Sequence, residues 1–284
     1  MLTLSQKPYY QGLLLLLLTT IIWGTSFPLL KGILADLSPA AIIAMRFSLA
    51  AIAVLPGLRQ VNPSLLRDGI LLGTIYFAEC ALSLVALEVI PASRSAFIIG
   101  LNAFLVPLFG LLLGRRPPSH VLGAAAVAVA GVGMLSWEGG GFNWGDVVTL
   151  GCAVAIAVYI LLLERIAPRH ATLPLVAVQL TVMAVLGTLW ALPQLLTQMD
   201  AIAHHFGTLL YTGLVITATP IWTQALAQRW VPSYEAALIY TLEPVFATLF
   251  AFLMLGEALG PRGLLGGALV IAATLWSQRK PDVN

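Results

Sequence analysis

Glu243 and Pro244 sit near the middle of Val231–Gly256, a stretch otherwise apolar enough to cross a bilayer as a helix. A spanning helix needs about 20 mostly apolar residues, and a carboxylate at its centre costs on the order of 2.5–3.5 kcal/mol on insertion scales. The proline beside it removes a backbone hydrogen bond and bends the helix. An anchor needs neither, so this position binds, moves or hinges something. The plain alternative is a protonated Glu243 hydrogen-bonded to backbone that Pro244 frees. A second carboxylate, Glu79, follows Tyr76 and precedes Ser83 at i, i+3 and i+7, which puts the three on one helix face. Polar stripes in membrane helices face protein or a water-filled cavity rather than lipid. Arg46 falls at the same depth as Glu79, roughly 10–14 Å below one membrane edge at the rise of an α-helix. An Arg46–Glu79 ion pair between neighbouring helices and a substrate role for Glu79 both stay open. Asn102 offers a donor and an acceptor in mid-span, and its plain reading is an interhelical hydrogen bond.

Aromatic residues complete the set. Trp137, Trp144, Trp190 and Trp276 suit interfacial belts, whereas Trp23 and Trp222 lie deeper. Trp222 follows Thr219-Pro220, a second mid-span interruption, with Gln224 near it. Tyr159, Tyr240 and Phe77 are further wall candidates for a small amphipathic ligand. Bond-making chemistry has no candidates. His120, His170, His204 and His205 fall in loops, no C-x-x-C or H-E-x-x-H occurs, and Cys80 and Cys152 read as small core residues. No catalytic residue, metal or cofactor is expected.

The elements that position these residues follow from composition. The chain is 60% hydrophobic and 9% charged, with mean hydropathy +0.96, more apolar surface than a water-soluble domain can hide. Lys7 followed by Leu13–Leu18 imitates a signal peptide, but the apolar run continues to Leu34, so it reads as the first span. Polar, Pro/Gly and charged punctuation places helices one to ten at about 11–33, 39–57, 69–88, 92–114, 118–137, 145–165, 173–195, 206–228, 233–255 and 261–278. Ile90–Gly114 aligns without gaps on Val231–Gly256. Pro91 falls on Pro232, Ile98 on Ile239, Phe109 on Phe250, and Asn102 on Glu243. Interrupted helices at matching places in two halves point to a transporter site. The sequence therefore predicts an all-α polytopic membrane protein, with ten transmembrane helices as two inverted five-helix repeats. The repeats cover 1–137 and 145–284, and 138–144 connects them. With the N-terminus inside, Lys7, Arg59, Arg67, Arg115, Arg116, Arg165, Arg169, Arg229, Arg279 and Lys280 lie on the cytoplasmic side, against Lys31, Arg94 and Arg262 outside. Both termini are thus expected in the cytoplasm, with the chain in the inner membrane. The net charge of +2 offers no footprint for nucleic acid.

Trp23-Gly24 followed by Ser26-Phe27, Leu242-Glu243-Pro244-Val245 in helix nine and Gly256-Glu257 closing it resemble the drug/metabolite transporter superfamily, EamA type. The likeness covers nearly the whole chain, and the aromatic-rich interior is similar to amino acid exporters of the YddG kind. Two departures stand out. Gly114-Arg115-Arg116 replaces the Gly-Glu often found after helix four, and Asn102 occupies the place where a second Glu would make the repeats symmetric. The resemblance implies a secondary transporter exporting small organic metabolites, amino acids and aromatic ones foremost, by alternating access. Rival readings are a transporter of sugars or nucleotide conjugates, an intramembrane enzyme and a sensor subunit. Phosphorylated substrates are disfavoured because only Arg46 lies near the midplane. The expected partners are the substrate and the bilayer, with the chain a monomer or weak homo-oligomer. The expected site is a cavity lined by helices one, three, four, six, eight and nine. Trp23, Tyr76, Asn102, Tyr159, Trp222 and Tyr240 face it, Glu79 and Glu243 stand at or behind its wall, and Gly100, Pro220 and Pro244 serve as hinges.

Overall fold

The computed structural model describes residues 7–90, 92–115, 117–136, 141–255 and 260–278. Gly256-Glu257 and part of the connector lie outside them. Helices Pro39–Gln60, Pro63–Leu87, Arg94–Leu112, Trp144–Arg169 and Thr172–Thr197 are long and apolar enough to cross a membrane by length and composition. The remaining spans are shorter or interrupted. Helix one, expected unbroken, is two segments, Lys7–Gly24 and Ser26–Ile33, joined at Thr25. Helix three starts earlier than expected, at Pro63, because Asn62 caps it by accepting from the Leu65 amide at 2.9 Å and proline suits the first helical position. A short helix, Met199–His204, occupies the expected connector before helix eight.

Three breaks fall in mid-span. Helix four is Ala92–Gly100 and Asn102–Leu112, separated at Leu101. Helix nine is Ser233–Tyr240 and Glu243–Leu255, separated at Thr241 and Leu242. Pro244 takes the second position of its segment, where its missing N–H costs nothing. Helix eight runs from Phe206–Gly213 through a π-turn at Leu214–Ala218 into Thr219–Ala227. Pro220 cannot donate into the preceding turn, and the hydroxyls of Thr217 and Thr219 bond back to Thr212 O at 2.8 Å and Leu214 O at 3.0 Å.

The packing obeys a two-fold rule. Helix two packs on helix seven, helix five on ten and helix four on nine, each on its counterpart in the other half. Helix three packs on six, and its image is helix one on eight. Counterparts run antiparallel. A methyl group added at Gly57, after helix two, would lie 2.8 Å from Leu173 O at the start of helix seven, and one at Gly187 would lie 3.0 Å from Ile43. Antiparallel counterparts are what inverted repeats require. Helices five and ten touch through backbone at Gly131 and Gly266, where added Cβ atoms would come within 2.9 and 2.7 Å of the opposite carbonyl oxygens.

Polar fasteners follow the same rule. Asp36, after helix one, meets His205, before helix eight, at 2.7 Å. On the opposite face His170, after helix six, meets Asp68 at the start of helix three, at 2.8 Å. Arg94 in helix four bonds Asp146, the third residue of helix six, at 2.6 Å, with both side chains nearly fully buried. Its aligned counterpart Glu235 in helix nine accepts from Tyr9, the third residue of helix one, at 2.5 Å. Helices three, four and six thus form one triad, and helices one, eight and nine its image.

Candidate functional site

Two aromatic pairs flank the seam between the triads. Trp23 of helix one rests on Tyr240 of helix nine with ring centroids 5.4 Å apart. Tyr76 of helix three rests on Tyr159 of helix six at 4.7 Å. Gln224 of helix eight joins them. Its Oε1 accepts from Tyr240 Oη at 3.1 Å, and its Nε2 donates to Tyr159 Oη at 3.2 Å. Tyr159 in turn donates to Gln179 Oε1 of helix seven at 3.0 Å. All four side chains are buried, so the hydrogen bonds fix ring positions that apolar packing alone would leave free to rotate.

Glu79 is half-buried and accepts from two thiols, Cys80 Sγ at 3.1 Å and Cys152 Sγ at 3.4 Å. The cysteines are thus carboxylate partners as well as core. Arg46 makes no ion pair with Glu79 within 4.0 Å, which corrects the pairing considered from depth alone. It turns to helix eight and bonds Thr217 Oγ1 and Ile216 O, because the π-turn presents backbone and hydroxyl oxygens that a regular helix would hide. Glu243, Glu79 and Arg46 remain within electrostatic range of one another. Asn102 is buried beside the break in helix four. Its Nδ2 donates to Ile99 O at 2.7 Å, replacing a bond lost at Leu101, and its Oδ1 has no partner among the described residues.

Two expected wall residues stand apart from the others. Trp222 lies on the exposed face of helix eight, roughly opposite Gln224 around the helix axis. Tyr159 has no exposed surface and belongs to the hydrogen-bonded support of the wall. Gln179 and Gln228 were not singled out in the sequence. An amide in an otherwise apolar helix was the available signal, since it needs partners.

One half of the seam, toward the C-terminal ends of helices six and eight, is bridged by side chains. Gln224 and Gln228, one turn apart, bond Tyr159 Oη and Ile160 O of helix six, the latter at 3.1 Å. Nearer the helix ends, Arg115 pairs with Glu164 and approaches Ser233 Oγ of helix nine at 3.5 Å. Toward the other end, no side-chain hydrogen bond among the described residues joins helices three, four or six to helices one, eight or nine.

Ten spans in two inverted repeats, with broken helices meeting at mid-depth, define a membrane transporter. The chain belongs to the EamA-like transporter family, whose model matches residues 10–137 and again 143–278. It is 28% identical to an uncharacterized transporter of Archaeoglobus fulgidus, over 92% of this chain and 83% of the relative. It is also 28% identical to a probable terminal-alkyne amino-acid exporter of Streptantibioticus cattleyicolor, over 93% and 92%. The transporter YdfC of Bacillus subtilis is 23% identical over 91% and 88%. A solved crystal structure superposes at a TM-score of 0.79 with 20% identity, covering 94% of this chain and 96% of the other, which shows a shared fold. Transport, not catalysis, is the family's activity.

Proposed function

We propose that this transporter exports small amphipathic metabolites, with amino acids first among them and aromatic side chains favoured. It does so by alternating access between repeats at 1–137 and 145–284. The observation that carries this reading is the pair of ring contacts, Trp23–Tyr240 and Tyr76–Tyr159, tied across the seam by Gln224. A substrate side chain lies against these rings. Its ammonium meets an aromatic face, Glu79, Glu243 or the unpartnered Asn102 Oδ1, and its carboxylate meets backbone donors at the broken helices. The Streptantibioticus relative's name agrees with an amino-acid cargo.

The breaks in helices four and nine are the hinges, with Gly100 and Pro244 beside them, and the Pro220 turn lets helix eight follow. The bridged half of the seam lies on the cytoplasmic side in this reading, which corresponds to a state closed to the cytoplasm, with both termini on that side of the inner membrane. The test is counterflow in proteoliposomes of purified protein. Trapped L-tryptophan should accelerate uptake of labelled L-tryptophan and, more weakly, of L-alanine. Saturable flux of neither amino acid would overturn the reading.

A further inference from the structure

A cavity of about 190 Å³ opens at the inner ends of helices four, six and nine, away from the aromatic pairs. Val106, Arg115, Pro117 and Glu164 line it from one triad's side, Ser233 and Tyr234 from the other. It therefore sits in the seam that would part if the inner side opened. Its polar wall has an unusual balance. Arg115 and Glu164 stand side by side, each with part of its side chain still exposed, 30% and 23%. A guanidinium has five N–H donors and a carboxylate about four acceptor sites. Among the described residues, the hydrogen bonds of Arg115 run from one nitrogen, Nη1, to Glu164 Oε2 and Ser233 Oγ, and Glu164 accepts through one oxygen.

We infer that this cavity is a second, peripheral binding site, a loading vestibule for the zwitterionic head of an amino acid. The α-carboxylate takes the free edge of Arg115 and the α-ammonium takes Glu164 Oε1. A zwitterion matches both members of the pair. A simple anion or cation matches one and leaves the other opposed by nothing new, so the wall favours ligands carrying both charges. At about 190 Å³ the cavity is below the size of drug-sized sites and holds the head group rather than a large side chain.

This site rests on the amino-acid reading above, and its test is independent of flux. A thiol is placed at the rim by Pro117→Cys and labelled with a membrane-impermeant maleimide in inside-out vesicles, with the protein lacking that thiol as background. L-leucine is the zwitterionic probe, isocaproate the anion-only analogue and isoamylamine the cation-only analogue. At ten times its Kd, L-leucine should slow labelling by about tenfold, and the two analogues should slow it far less. In an Arg115→Gln/Glu164→Gln background, which keeps hydrogen-bonding capacity, protection should vanish while detergent-solubilised protein still elutes as a single folded species. Absence of protection by L-leucine, equal protection by either analogue, or protection that survives the double substitution overturns the vestibule. If protection holds while proteoliposomes show no amino-acid counterflow, the transport reading fails and the site stands. If counterflow is present without protection, the reverse is true.

Discussion

Replacing Gln224 by leucine should tilt this transporter toward its inward-open state. The side chain makes two hydrogen bonds, and they weigh differently on the equilibrium. Its bond with Tyr240 lies within one triad and is present whichever side is open. Its bond to Tyr159 crosses the seam and exists only while the inner side is closed. Only the second is state-dependent, and only a state-dependent contact can shift populations. Interhelical hydrogen bonds in membranes average about 0.6 kcal/mol and reach about 1.7, so Gln224→Leu should favour inward opening by roughly 3-fold and at most about 20-fold. Adding Gln228→Leu removes the bond to Ile160 O and should raise the effect further, and because the two side chains are neighbours a double-mutant cycle measures how far the two contacts couple. Stability will also fall, because Tyr240 Oη is left buried without an acceptor, at about 1–3 kcal/mol. The assay is a fully buried cysteine at the inner cavity, Val106→Cys, labelled by an impermeant maleimide from the cytoplasmic face. Its labelling rate should rise in proportion to the inward-open population. An unchanged rate in folded Gln224→Leu protein, or a rise seen only from the outer face, refutes the assignment of this seam as the inner gate.

Trp222→Ala should leave the ratio of tryptophan to alanine flux unchanged, because the indole lies on the exposed face of helix eight, whereas Trp23→Ala should lower that ratio. Glu243→Gln tests coupling. A proton-linked cycle loses its pH dependence in counterflow-competent protein, and a facilitator keeps gradient-driven flux. Gly266→Leu should cost about 1–3 kcal/mol by overpacking, read as a lowered Tm in detergent, since even a Cβ there would meet Gly131 O at 2.7 Å. Cysteines at Phe142 and Met199, both exposed, should label only from the outside and one at Arg169 only from the inside. Cytoplasmic labelling at Phe142 would sink the topology.

The ten spans were legible because apolar length and punctuation are one-dimensional properties. So were the breaks in helices four and nine. A glycine before Asn102 and a proline after Glu243 weaken the helix locally, and local causes can be read locally. What the sequence left unresolved was which face each residue takes and which partner it finds. Trp222 and Gln224 share a depth but not a face, and their spacing of two residues already puts them on nearly opposite sides of a helix. Arg46 and Glu79 also share a depth, but Arg46 turns to the π-turn of helix eight, a contact between helices that depth does not predict. Gln179 gave little sign because its partner, Tyr159, sits on another helix and becomes adjacent only after folding.

The fasteners at the two membrane faces have a mechanical consequence. Asp36–His205 and His170–Asp68 occupy equivalent places with acid and base exchanged. Arg94–Asp146 is a buried salt bridge, while its image, Tyr9–Glu235, is a phenol on a carboxylate. The duplicated halves have kept the same joints but made them of different materials. In the alternating-access cycle proposed above, the two strokes therefore bend helices restrained by springs of unequal stiffness. Net direction is set by the driving gradients, of solute or of any coupled ion, and is indifferent to such differences. Half-saturation and turnover are not, so the two faces of this membrane should meet the same cargo with unequal appetite.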